Sequence, residues 1–169
     1  MPQPTLTGDL VRLRPIEAGD AERFAAILAE PSVARWWTLA PDGAAADWLA
    51  DGDQVTFAIE HEGAVIGSIQ YSEVDEPDYR SAGIDLFLAT AAQGHGYGTD
   101  AVRTVARYLI QVRGHHRLTI DPAAANERAI HAYGKVGFRP VGVMRSYERG
   151  SDGTWHDGLL MDLLAGELT

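Results

Sequence analysis

Cysteine is missing from all 169 residues. Its absence excludes disulfides, thiolate metal sites and an acyl-cysteine intermediate, so a group transfer must use another nucleophile or pass directly between substrates. Positive charge is also scarce. Fourteen Lys and Arg stand against 24 Asp and Glu, a formal charge of −10, which opposes general nucleic-acid binding and favours a small cationic partner. No run approaches the roughly 20 apolar residues that cross a bilayer, and Met1 to Thr5 shows no basic segment leading into an apolar one. The expected location is the cytoplasm, with no membrane partner. His115 and His116 are adjacent, while His61, His95, His131 and His156 are scattered without ligand spacing, so no metal is expected. No glycine is followed by Lys and then Ser or Thr, and no G-x-S-x-G elbow occurs, which removes a P-loop and a serine hydrolase.

What the chain does have is a composition of 46% hydrophobic and 22% charged residues, enough to close a core, and residues 1–169 read as one domain. The acidic charge is uneven. Asp42, Asp47, Asp51 and Asp53 form one group and Glu73, Asp75, Glu76 and Asp78 another, each either a solvated loop or a ligand surface. Val11 to Arg14 alternates as a short strand, and a helix capped by Asp20 carries Phe24, Ile27 and Leu28 before Pro31 stops it. Trp36 and Trp37 fall in a connection, as core or as a binding wall. A second short helix around Ala44 to Leu49 would carry Trp48.

Val55 to Glu60 and Ala64 to Tyr71 alternate around His61-Glu62-Gly63 and predict a hairpin. Ser81 to Leu88 is a third strand of this region. A helix then opens within Gly94 to Thr99 and turns Ala101, Val102, Val105, Ala106, Leu109 and Val112 inward. Arg117 to Ile120 reads as a strand, Asn126 to Val136 as a helix ended by Gly137, and Val141 to Tyr147 and Trp155 to Leu163 as strands around Asp152-Gly153. The order predicts an α+β fold, a mixed sheet with helices on both faces.

Gln93-Gly94-His95-Gly96-Tyr97-Gly98-Thr99 sits between a strand and a long helix. Glycines let the backbone approach a ligand, and the N–H groups of the helix's first turn point at an anion with help from the helix dipole. A glycine-rich turn kept for geometry alone is the alternative. Gly96 to Ala101 also fits the dinucleotide pattern G-x-G-x-x-G/A, with Asp121 about 20 residues on. In that pattern the first glycine follows its strand at once, whereas Ala89 to Gln93 intervene here.

Gln93-x-x-Gly96-x-Gly98 resembles the Q/R-x-x-G-x-G/A motif of the GNAT N-acetyltransferase superfamily, and the element order resembles that family over nearly the whole chain. The resemblance implies the GNAT fold and acetyl-CoA as co-substrate. Leu86 and Leu88 would then offer backbone pairing to the pantetheine arm, and Gln93, Gly94, His95, Gly96, Gly98 and Thr99 would hold the pyrophosphate. Ile120 to Asn126 and Ala129 to Phe138, with Gly83-Ile84-Asp85 and loosely Trp36-Trp37, resemble a narrower subset that includes the aminoglycoside 6′-N-acetyltransferases. That likeness implies that Asn126 contacts the pantetheine arm, Tyr133 sits near the thioester sulfur, and Asp85 and Asp121 reach the acceptor amine beside Trp36 and Trp37.

An alkyl ammonium must lose a proton before it can attack a thioester, and the departing thiolate must gain one. Asp85 and Asp121 are expected to face a gap between their strands and serve the first need, and a Tyr133 hydroxyl the second. Asp121 as a plain turn residue before Pro122, and Tyr133 as a core residue spaced from Ile130 and Val136, stay open. The function expected is acetyl transfer to the 6′-amine of an aminoglycoside, hence antibiotic resistance. The alternatives are a protein N-terminus or ribosomal protein, a siderophore hydroxylysine, or a non-catalytic acyl-CoA sensor; the chain is expected as a monomer or homodimer.

Overall fold

A computed structural model describes residues 2–37 and 52–169, so the helix expected around Ala44 to Leu49, and Asp42, Asp47 and Asp51, lie outside the described residues. The strands are β1 (Leu6–Thr7), β2 (Arg12–Pro15), β3 (Gln54–His61), β4 (Ala64–Val74), β5 (Ser81–Leu88), β6 (Arg117–Ile120), β7 (Arg139–Arg149) and β8 (Trp155–Leu164). They form one sheet in the order β1-β2-β3-β4-β5-β6-β8-β7. Every neighbouring pair is antiparallel except β5 and β6. Helices α1 (Asp20–Leu28), α2 (Pro31–Ala34), α3 (Tyr97–Gln111) and α4 (Glu127–Val136) are the described helices. Among them none is long and apolar enough to cross a membrane.

Alternation along β5 sorts the two faces of the sheet. Ala82, Ile84 and Leu86 join the larger core beneath α3, with Val102, Val105 and Leu109 fully enclosed. Phe87 points the other way, into a smaller core with Phe24 and Ile27 of α1 and Val33 of α2. Asp85 lies on that second face of β5, between Leu86 and Ile84 on the first. The β3–β4 turn is tighter than its sequence suggests: His61 pairs with Ala64, and Glu62 and Gly63 both take positive φ, the two-residue connection whose twist matches a hairpin.

Two local expectations change. Asp20 does not cap α1, whose N-cap is Gly19. Its carboxylate instead receives both forks of Arg14, at 2.7 and 2.8 Å, and the Glu17 N–H at 2.8 Å, because a bidentate guanidinium is a stronger partner than a helix terminus. Val112 does not face inward; it follows the last turn of α3 as the C-cap and is exposed.

Asp100, in the first turn of α3, is buried and accepts three main-chain N–H bonds from the loop between β1 and β2: Asp9 at 3.1 Å, Leu10 at 2.8 Å and Val11 at 3.0 Å. Gly8 lies against that carboxylate with no room for a side chain. The start of the chain is thus tied to the helix that carries the glycine loop. Asp100→Asn keeps the shape but turns an amide N–H toward a donor. It is expected to lower unfolding stability by about 1–3 kcal/mol, read as a reduced urea midpoint with an unchanged slope, and an unaltered midpoint would remove Asp100 from this role.

Candidate active site

The pairing of β5 with β6 covers only Ala82↔Leu118 and Gly83↔Thr119. Beyond it β5 stays with β4, ending in Gly67↔Leu88 and then Ala89 N–H to Ile66 C=O at 2.8 Å. By alternation the N–H and C=O groups of Leu86 and Leu88 turn away from β4, toward the opening. β6 meanwhile runs into Asp121 and Pro122 and stays with β8: Leu159 N–H reaches Pro122 C=O at 2.8 Å, Ala123 bridges Gly158, and Ala124 N–H reaches Asp157 C=O at 2.9 Å. The two strands part, and the gap is left between them.

On one side of the gap lies a cavity of about 680 Å³. Leu86, Leu88, Gln93, Gly94, Gly96, Gly98, Thr99, Asn126 and Tyr133 line it, together with Trp36 and Trp37. After Leu88 a single 3-10 turn, Thr90–Ala92, leads to Gln93, so the glycines do not form the tight strand-to-helix turn of a dinucleotide site. Gly94 and Gly96 have φ of 80° and 84°, a conformation side chains disfavour, and a Cβ on Gly98 would sit 3.2 Å from Leu88 Cδ1. Gly96 is the N-cap of α3. The N–H groups of Tyr97, Gly98 and Thr99 therefore precede the helical ladder and are free to receive an anion. These residues fit a diphosphate at the loop and an extended arm along β5.

Individual residues refine that picture. The Gln93 side chain donates to Leu88 C=O at 3.1 Å and accepts from Arg128 at 3.2 Å, so it braces the loop and brings a cation to it. Arg128, which the sequence reading did not single out, also lies 3.4 Å from where a Cβ on Gly94 would be. The His95 side chain is not a wall of the cavity; it is exposed and stacks on Tyr97, with centroids 5.5 Å apart. Asn126 lines the cavity and also caps α4 by accepting the Ala129 N–H at 3.3 Å. Trp37 packs edge-on against Phe87 at 5.3 Å and belongs to the second core as well as to the wall, whereas Trp36 lies beneath the Arg35 guanidinium and faces both this cavity and a second one.

The second cavity, of about 580 Å³, is bounded by Arg35, Trp36, Trp155, Glu148, Asp152 and Asp157 among others. Among the described residues, Glu148, Asp152 and Asp157 there meet Arg35, which both cavities share, whereas Arg35, Arg128 and Lys135 of the first meet Glu127. Between the cavities the structure brings Asp85, Asp121 and Tyr133 within electrostatic reach of one another, with Glu148 of β7 as a fourth member. Asp85 and Asp121 are not among the described lining residues of either cavity, and the Asp85 side chain is exposed; crowding by the surrounding protein, then the charge of Asp121, pushes its pKa up to about 7, against the opposing pull of the Leu86 N–H at 3.0 Å. Burial, then the charges of Asp85 and Asp121, holds the Tyr133 hydroxyl well above its ordinary value, so it keeps its proton. Glu148 is raised too, first by burial and then by Asp121. Asp121 accepts the Tyr147 hydroxyl at 2.6 Å. Glu148 and Tyr147 escaped the sequence reading because the β7–β8 register slips between Met144 and Glu148, which breaks the alternation that reading relies on.

Comparison with known proteins agrees with this geometry. Residues 11–139 match the model of the acetyltransferase (GNAT) domain. The chain is similar to spermidine N(1)-acetyltransferase of Escherichia coli K12, 27% identical over 139 residues that cover 78% of this chain and 74% of that one. It is also similar to aminoglycoside N(6′)-acetyltransferase type 1 of Klebsiella pneumoniae, 32% identical over 97 residues, 57% of this chain and 47% of that one. The structure of Mycobacterium smegmatis RimJ in complex with CoA-disulfide superposes with a TM-score of 0.81 at 25% identity, covering 98% of this chain and 88% of that one.

The raised Asp85 gives a stability test. Between the ordinary aspartate value near 3.8 and about 7 the folded chain keeps a proton that the unfolded chain has lost, so the Asp85 contribution to stability falls as pH rises through that window. Asp85→Asn mimics the protonated form at every pH. The variant is expected to match the wild type near the acid end of the window and to exceed it at pH 8, measured by urea unfolding; parallel profiles would contradict the shift.

Proposed function

The chain belongs to the acetyltransferase (GNAT) family and is an acetyl-CoA-dependent N-acetyltransferase; from that premise we propose that its acceptor is the 6′-amine of an aminoglycoside, a polycationic antibiotic. The observation that carries this reading is the group of carboxylates Asp85, Asp121 and Glu148 where β5 and β6 part, with Glu148 also bounding the cavity lined by Asp152, Asp157, Trp36 and Trp155. Carboxylates attract and orient ammonium groups, and indole faces suit the apolar faces of sugar rings. A linear polyamine needs the charges but not the ring platforms. Spermidine is nonetheless a second reading, favoured by the greater share of this chain that aligns with the spermidine enzyme.

In this reading Leu86 and Leu88 pair with the pantetheine arm, the loop from Gln93 to Thr99 holds the pyrophosphate through its backbone, and Arg128 and Asn126 close the same wall. Bound acetyl-CoA supplies an electrophilic thioester carbonyl. Asp121 and Glu148 hold the acceptor ammonium, and Asp85, poised near neutrality, takes its proton, as an effective base at physiological pH requires. Tyr133, with its proton secured, donates it to the leaving sulfur and regains one from the nitrogen, which sheds its second proton as the amide forms. One proton leaves for each amide formed.

Thiol release measured across kanamycin-type and gentamicin-type substrates, spermidine and peptide N-termini tests the assignment, with mass spectrometry locating the acetyl group. Turnover of an aminoglycoside acetylated at the 6′-amine is expected. Asp121→Asn should lose acceptor turnover while retaining acetyl-CoA affinity, and Tyr133→Phe should lower kcat by about 10²–10⁴-fold where chemistry limits the rate. Efficient acetylation of spermidine or a peptide with no aminoglycoside turnover would replace this acceptor.

A further inference from the structure

β7 reaches the gap through a backbone irregularity. Where its register with β8 slips, Ser146 adopts a φ of 48°, uncommon outside glycine, and its N–H donates to Asp157 Oδ1 at 2.8 Å. The next residue, Tyr147, lays its ring over Gly158, where an added Cβ would lie 2.8 Å from ring Cδ1. Its hydroxyl then donates to Asp121 Oδ2 at 2.6 Å. The other end of that hydrogen bond is fixed by the same strand: Asp157 C=O accepts from Ala124, Gly158 bridges Ala123, and Leu159 N–H holds Pro122. β8 thus sets both partners.

We propose that Tyr147 is a positioning residue for acetyl transfer: its hydroxyl fixes the Asp121 carboxylate in the orientation that grips the acceptor ammonium, beside Asp85, the carboxylate that takes the proton. The inference rests on the acceptor chemistry proposed above. Two carboxylates facing one gap share their protons unless something distinguishes them. The groups that face them are Tyr133 from α4, Tyr147 and Glu148 from β7, and, beside Glu148, His156 from β8. Among these Tyr147 donates a hydrogen bond to Asp121, and a short bond from a neutral donor to a carboxylate is of the stronger kind. That bond, followed by burial, pushes the Tyr147 pKa up to about 12, so the donor never gives up its proton in the working range. Among the described residues, Asp85 receives the N–H of its own neighbour Leu86 and no other hydrogen bond.

Tyr147→Phe keeps the ring on Gly158 and removes the donor. Acetyl-CoA affinity should be unchanged by calorimetry, and kcat/KM for the acceptor should fall roughly 10–100-fold, chiefly through KM, since a bond to a charged group is worth on that order. In an Asp121→Asn background the same substitution should cost nothing further. Carbon-13 spectra of the aspartate carboxyls at one neutral pH, assigned through Asp85→Asn and Asp121→Asn, should show the Asp121 resonance displaced in Tyr147→Phe and the Asp85 resonance much less so, a readout that needs no acceptor. An undisplaced Asp121 resonance, an unchanged KM, or an equal loss in the Asp121→Asn background overturns the proposal. A displaced resonance in a protein that acetylates no amine would overturn the acceptor reading and leave the Tyr147–Asp121 coupling standing.

Discussion

After two residue pairs β5 and β6 separate, and the site depends on where their main-chain groups then go. A buried N–H or C=O needs a partner, so a strand leaves a neighbour at low cost only when it has another side to satisfy or an opening to face. β5 remains on β4 and is anchored from one face by Phe87, which packs against Phe24 and Trp37. β6 continues into Pro122, which has no N–H to offer β5, and its next carbonyls and amides engage β8. The free edge of β5 and the acidic turn after β6 are two products of one divergence. A register shift that restored the pairing would close both cavities together.

Most of the elements were legible because their signals are local. The β3–β4 hairpin, the long helix with its apolar stripe, and the helix from Asn126 to its Gly137 stop follow from spacing and from residues with few alternatives. The glycine loop was legible for the same reason: positive φ at Gly94 and Gly96 leaves little choice of residue. Spacing could not assign the carboxylates among themselves. Asp20 and Asp100 both sit in the first turn of a helix, yet one belongs to Arg14 and the other to the N-terminal loop, through contacts six and about ninety positions away in sequence. Arg128 was hidden because its partner, Gln93, lies on another element, and Tyr147 and Glu148 because a slip in register reversed the face that alternation would give them.

Charge then divides the parted sheet into two unlike halves. In a chain with a formal charge of −10 an anionic ligand is repelled from most of the surface, and the cavity that includes the glycine loop counters this with Arg35, Arg128 and Lys135 against Glu127. The neighbouring cavity keeps the prevailing sign through Glu148, Asp152 and Asp157 and suits a cation instead. Trp36 and Arg35 border both, so in the proposed reading the two ligands meet there.

At that boundary Asp85 has a position that neither cavity alone would create. Crowding by protein disfavours its charge, and Asp121 and Glu148 disfavour it further. In the proposed reading an ammonium entering the gap favours the ionised form of a carboxylate so placed and relieves the repulsion from Asp121 and Glu148. Binding of the acceptor and readiness of its base would then be one electrostatic event.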